Sequence, residues 1–241
     1  MKKPYIKKFG KVSNFTVWIV DGNYIRTNLD EEFTNFGQHF NFAFIPKNEF
    51  WIDREHGDGD ETAYFVNNML AKNWFMSKGK GFDEAYDKGN EFELMTREMF
   101  EDDIVGKKLH KRQIKKRIHK KLLKSYSKGI KVWVVYGRVV RNTFYLDFTL
   151  GGHDKVYKFV PAKEIWIDDA VSQKERKFIL LHEIHERNLM SRGLSYIDAH
   201  RKSHRLEQYC RLYPKKFIAL YKKELNKLIL DGPADGKERK K

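Results

Sequence analysis

The sequence predicts an α+β fold written twice in tandem. Val17-Trp18-Ile19-Val20-Asp21-Gly22 reappears as Val132-Trp133-Val134-Val135-Tyr136-Gly137. The match continues without a gap through Arg26/Arg141, Phe33/Phe148, Gly37/Gly152 and Pro46/Pro161, up to Trp51-Ile52-Asp53 on Trp166-Ile167-Asp168. Fourteen of the 37 positions from Val17 to Asp53 are identical to their counterparts, where composition alone gives about two. After a one-residue slip Met76 and Gly79 fall on Met190 and Gly193, and Ala85 and Glu93 on Ala199 and Glu207. Within each copy the apolar pattern changes from strand-like runs to helical spacing, which is the alternation an α+β unit shows.

Taken in order on the second copy, Val132 to Arg141 reads as strand from its valines and Trp133, and Thr143 to Thr149 alternates aromatic and polar residues. Gly151-Gly152-His153-Asp154 has the composition of a turn. Lys155 to Val160 and Glu164 to Asp168 read as further strands, giving a small antiparallel β-meander. Ser172-Gln173-Lys174-Glu175 has capping-box form. Phe178, Leu181, His182, His185 and Leu189 follow at helical spacing, Gly193 is placed to stop the helix, and Ser195 opens a second one. Only Gly193 and Leu194 part the two, so they should form a helical hairpin.

These signals divide the chain into a basic segment over 1–15, a first repeat over 16–93, a basic helical linker over 94–129, a second repeat over 130–209, and an amphipathic helix with a charged tail over 210–241. Phe217, Leu220, Tyr221, Leu225 and Leu228 give that last helix its stripe. The linker from Lys107 to Lys124 carries a thin stripe of Ile114, Ile118 and Leu122 among cationic residues. Lys111, Arg112, Lys115, Lys116, Arg117, Lys120 and Lys121 would present a phosphate-backbone footprint, or a solvated face docked by its stripe.

Composition bounds the class. With 41% hydrophobic and 15% aromatic residues the 241-residue chain can bury a core. Its 48 Lys+Arg against 33 Asp+Glu give a formal net charge of +15, which favours nucleic acid or another polyanion as partner. The one cysteine, Cys210, excludes an internal disulfide and a cysteine-rich zinc site. No apolar run approaches the roughly 18 to 20 residues of a membrane span, and no secretory signal pattern is present. The expectation is a soluble, cytoplasmic protein.

Chemistry concentrates in Leu181-His182-Glu183-Ile184-His185-Glu186-Arg187 and Ala199-His200-Arg201-Lys202-Ser203-His204. His182 and Glu186 are four apart, as are His200 and His204, so each pair projects from one helical face. The repeat supplies an internal control. Where the second copy has His182, Glu183, His185, Glu186, His200 and His204, the first has Asn68, Met69, Ala71, Lys72, Tyr86 and Asn90. The cluster is therefore not needed to build the hairpin. Imidazole and carboxylate suit zinc or another divalent transition metal. His182, Glu186 and either His200 or His204 are the expected ligands, with Glu183 as general base. His185, Arg187 and Glu207 would act through these residues rather than on the ion. Without a metal, the same residues would make an ion-paired seam between two helices.

The stretch resembles the zinc-protease helix signature, His-Glu-x-x-His, in which two histidines bind the ion and the glutamate serves as base. It departs at the fourth position after His182, which is Glu186, while the second histidine, His185, stands one residue earlier. What this resemblance implies is a metal-dependent, peptidase-like hydrolase. Residues Leu181 to Glu207 also resemble small bacteriophage and prophage proteins without an assigned function. That likeness implies a phage or mobile-element origin, with viral assembly partners and a place in the host cytoplasm or virion; the alternative expectation is a virion-associated or nucleic-acid-binding structural protein using the basic linker.

Overall fold

The computed structural model describes residues 4–57, 59, 61–100 and 116–230. The chain is α+β, and each copy builds a four-stranded sheet followed by a pair of helices. In the first copy β1 (Tyr5–Val12), β2 (Phe15–Val20), β3 (Phe36–Gln38) and β4 (Glu49–Asp53) pair in the order β1-β2-β4-β3. Helix α1 (Gly22–Asn28) follows β2, and α2 (Thr62–Ser77) and α3 (Phe82–Phe100) follow β4. The second copy repeats this with β5 (His119–Leu122), β6 (Lys131–Val135), α4 (Gly137–Thr143), β7 (Gly151–His153), β8 (Glu164–Asp168), α5 (Gln173–Ser191) and α6 (Tyr196–Leu212), and its sheet order is β5-β6-β8-β7. Helix α7 (Phe217–Leu230) closes the described chain. Among the described residues no helix is long and apolar enough to cross a membrane.

The sheets are mixed rather than meanders, which corrects the expected strand order. Strand β2 runs antiparallel to β1 but parallel to β4, and β3 is antiparallel to β4. The outer strand comes from residues before each repeat boundary, β1 from the basic N-terminal segment and β5 from the linker. The strand read over Val132 to Arg141 breaks after Val135, and Gly137–Thr143 is helical in spite of its two valines. Burial of Arg141 explains the break. Its guanidinium reaches Asp168 Oδ2 at 2.5 Å and donates to Phe148 O at 2.9 Å, a geometry a continued strand could not supply. The runs 143–149 and 155–160 contain no strand: Thr143 ends α4, and the rest is turn and irregular backbone. By contrast Gly151-Gly152-His153, read as a turn, is strand β7. A Cβ on Gly151 would stand 2.9 Å from Ile179 and 3.0 Å from the Trp166 carbonyl, so the glycine marks a close approach of backbone.

The basic linker is not one helix through Lys124. Residues 116–118 are helical and give way to β5, where Ile118 O accepts from Tyr136 N at 2.9 Å and Leu123 N donates to Val132 O at 2.8 Å. Ile118 is wholly buried. The helix expected over 107–115, and the charged tail over 231–241, lie outside the described residues.

The chain divides into two compact units that cut across the copies. The first comprises Met1–Lys120, Val135–Leu150 and Asp168–Glu175; the second Lys121–Val134, Gly151–Ile167 and Arg176–Lys241. The first unit holds a buried network that explains several of the repeated identities. Arg26 pairs with Asp53 at 2.7 Å and reaches Glu175 at 3.4 Å, while Arg141 pairs with Asp168 and, through its Nε, with Glu61 at 2.8 Å. Each arginine thus takes one acid from its own copy and one from the other. Gly22 and Gly137 lie directly against the Asp53 and Asp168 carboxyls, leaving no room for a Cβ.

Candidate metal centre

Helices α5 and α6 bring the cluster together inside the second unit. Gly193, with φ +92°, ends α5, and Leu194 N donates to Leu189 O at 3.2 Å across the turn. Ser195 then caps α6 by accepting from Asp198 N at 3.2 Å. This tight connection returns the chain so that His200 and His204 meet His182 and Glu186.

Three donor atoms form a triangle. His182 Nε2 stands 3.2 Å from His200 Nδ1 and 3.4 Å from Glu186 Oε2, and His200 Nδ1 stands 2.6 Å from Glu186 Oε2. Ligand atoms held about 2.0–2.1 Å from a tetrahedral zinc lie about 3.3 Å apart, so the triangle needs only a small opening to seat an ion. His182, His200 and His204 offer a second set of three donors close enough together to hold an ion. His204 Nε2 lies 2.9 Å from the other nitrogen of His200, and the rings of His182, His200 and His204 meet edge to face.

Residues behind the triangle fix its orientation. Glu207 Oε2 accepts from His182 Nδ1 at 2.9 Å, which leaves Nε2 to face the triangle; its other oxygen takes Arg211 at 2.7 and 2.9 Å. This is the carboxylate–histidine pairing that orients metal-bound imidazoles. His153 plays a similar part for Glu186. Its Nδ1 accepts from Lys155 N at 3.1 Å, so Nε2 carries the proton and donates to Glu186 Oε1 at 3.0 Å. His153 therefore has no lone pair to offer an ion and serves to hold Glu186.

The electrostatics follow from burial and these contacts. Burial alone would lower the His182 pKa, but hydrogen bonds to Glu186 and Glu207 raise it to about 10, an imidazolium held between two carboxylates. Burial opposes ionisation of Glu186, yet hydrogen bonds from His153, His182 and His200 hold it well below the usual carboxylate range. Glu207 is likewise held low against its burial, by Arg211 and His182. Glu183 is different. Burial, and after it the Glu186 and Glu207 charges, outweigh His182 and His200 and raise it to about 8. A cation at the triangle would take the place of the His182 proton and favour ionised Glu183.

The remaining expected residues separate. His185 faces another side of α5, 3.2 Å from Glu224 Oε1 on α7, and is not part of the cluster. Arg187 grips Asp154 through Nε at 2.5 Å and Nη2 at 3.0 Å, latching the end of β7 to α5. Of the cationic linker residues, Lys111, Arg112 and Lys115 lie outside the described residues; Lys116, Arg117 and Lys121 are exposed, and Lys120 pairs with Asp169 at 2.8 Å over the Tyr136 ring. Sequence reasoning missed His153 and Asp154 because the glycines before them suggested a turn. The copy comparison held the signal, since His153 stands where the first copy has Gln38. His200, with its side chain 30% exposed and stacked on Tyr196, forms the edge of the cluster nearest solvent. Compared with family models, with curated proteins and with solved structures, the chain finds no match.

Proposed function

We propose that the second copy is a divalent-metal centre, zinc in the first instance, and that the protein is a metal-dependent, peptidase-like hydrolase. The observation that carries this is the triangle of His182 Nε2, Glu186 Oε2 and His200 Nδ1, with Glu207 and His153 orienting two of its three members from behind. Three protein ligands leave a coordination position for water or substrate, the arrangement of catalytic rather than structural zinc. When bound, such an ion acts as a Lewis acid and makes water nucleophilic near neutral pH. Glu183, buried beside Glu186, would serve as general base toward a water held there. Held at the ion through Nδ1, His200 would donate its other N–H to His204 Nε2.

The test is the metal content of the full chain, followed by hydrolysis of a mixed peptide library. The proposal expects about one zinc per chain, lost in His182→Ala and kept in His185→Ala. Peptide cleavage should vanish in Glu183→Gln while the zinc stays. A chain that takes up neither zinc nor another transition metal would leave only an ion-paired helical seam, with His182 as imidazolium between two carboxylates. Bound zinc without any cleavage would confine the reading to a structural ion.

A further inference from the structure

The two hairpins also differ on a second face. In the second unit that face is covered by α7, whose Phe217, Tyr221 and Leu225 are buried. Glu224 on the same side accepts from Asn188 Nδ2 at 2.9 Å and stands 3.2 Å from His185 Nδ1. Leu181, Ile184, Asn188 and Cys210 are fully buried, and Asn188 lies directly against the helix, donating to Glu224 O at 3.0 Å. The first-copy counterparts of these four are Asn67, Leu70, Trp74 and Thr96. There they line an open groove of about 650 Å3, whose apolar wall is Phe15, Leu70, Ala71, Trp74, Phe75 and Phe92. Trp74 is 57% exposed where Asn188 is 0%. Phe92, Met95 and Met99, at helical spacing on α3, extend the exposed apolar surface beyond the groove.

A patch of this kind on a folded surface marks a site of association, and the second copy indicates what fits it. The covering element there is one amphipathic helix presenting apolar residues at i, i+4 and i+8, docked as a helix in a groove. The polar contacts that hold Glu224 are absent from the first copy, where His185 and Asn188 become Ala71 and Trp74. A second copy of this chain is the poorer occupant, because its own α7 is engaged, with Tyr221 Oη donating to Tyr126 O at 2.7 Å. A groove fitted to a single helix also offers less than the about 800 Å2 per partner that stable globular pairs bury. We propose that this groove docks an amphipathic α-helix of a partner protein, with large apolar residues at the spacing of Phe217, Tyr221 and Leu225 and a further apolar residue where α7 carries Glu224.

The probe is a fluorescently labelled synthetic peptide of residues 214–230 with Glu224→Leu, titrated into the full chain and followed by anisotropy. Micromolar binding is expected, weakened at least about 10-fold by Trp74→Arg and by the pair Trp74→Ser with Phe92→Ser. Trp74 and Phe92 are exposed, so these variants should keep the circular dichroism spectrum and the metal content of the parent. The unaltered peptide should bind at least about 10-fold more weakly, since its Glu224 carboxylate would be buried without a partner. No binding, or binding indifferent to the substitutions, overturns the proposal. Concentration-dependent self-association abolished by Trp74→Arg, without peptide binding, would overturn it in favour of a second copy. Peptide binding that appears only when residues 101–115 are replaced by a Gly-Ser linker would overturn it in favour of the chain itself.

Discussion

The helical hairpins of the two copies share a frame and differ in what the frame holds. In the first, Asn68 donates to Glu93 at 2.8 Å, and Glu93 takes Arg97 one turn along at 2.8 and 3.0 Å. In the second, His182, Glu207 and Arg211 make the same chain of contacts at 2.9, 2.7 and 2.9 Å. The glutamate–arginine pair belongs to the frame, and the group in front of it is the variable. Around that variable the second copy sets Glu186, His200, His204 and His153, a set with donor atoms close enough together to hold a cation. The first copy sets Lys72, Tyr86, Asn90 and Gln38 at those positions. Lys72 Nζ lies 4.0 Å from the centre of the Tyr86 ring, so this copy supplies its own cation where the other would bind one. A duplicated frame with opposite charge logic teaches that the histidine cluster is a property of the side chains and not of the fold.

The largest effect should come from the shared frame. Arg141→Ala would strand Asp168 as a buried carboxylate without its arginine and leave Glu61 only its pair with Arg97 at 2.8 Å, which costs about 3–5 kcal/mol. Chemical denaturation should show the loss whether or not zinc is present. A change near zero would mean that the buried network contributes nothing to the fold.

Next comes the support behind the triangle. His153→Ala removes the donor that holds Glu186, and loss of such a partner costs about 10–100-fold in metal affinity. His153→Gln introduces the first copy's residue, which keeps a side-chain N–H, and should recover most of that loss. Equal damage from both substitutions would point to packing instead of the hydrogen bond.

The smallest predicted effect concerns Lys72, and it carries a pH signature. Burial lowers its pKa to about 8, against partial opposition from Asp147 and Glu93. Between pH 8 and about 10.5 the unfolded chain therefore binds more protons at this site than the folded one, and this contribution to stability rises with pH. The shift is worth about 3 kcal/mol, offset in part by the ring contact at about 1–2 kcal/mol. Lys72→Met should thus be more stable than the parent by about 1–2 kcal/mol near pH 7. That advantage should shrink as pH climbs from 8 toward 10.5. A difference independent of pH would show that Lys72 is not buried as a cation.

Much of this was legible in the residues. The duplication stands out by identity. The hairpin was readable because Gly193 and Ser195 punctuate an otherwise continuous 3.6-residue pattern. What misled was local propensity set against tertiary contacts. Val139 and Val140 favour a strand, but the Arg141–Asp168 pair requires a helical turn. The Gly151-Gly152 pair suits a turn, yet serves a strand that must approach Trp166 closely. His153 was lost with that misreading. The linker lysines suggested a helix, whereas backbone pairing with β6 makes Lys120 and Lys121 part of a strand. Ligand identity stays open between His200 and His204, because spacing puts both on one face of α6 and packing brings both rings against His182.

The most direct measurement is a zinc titration of the full chain and two variants, one altered in each copy. The parent and Asn68→Ala should each bind about one ion, and His182→Ala combined with Glu186→Ala should bind none. Zinc retained by that second-copy variant, or zinc lost through Asn68→Ala, would contradict the assignment of the chemistry to the second copy.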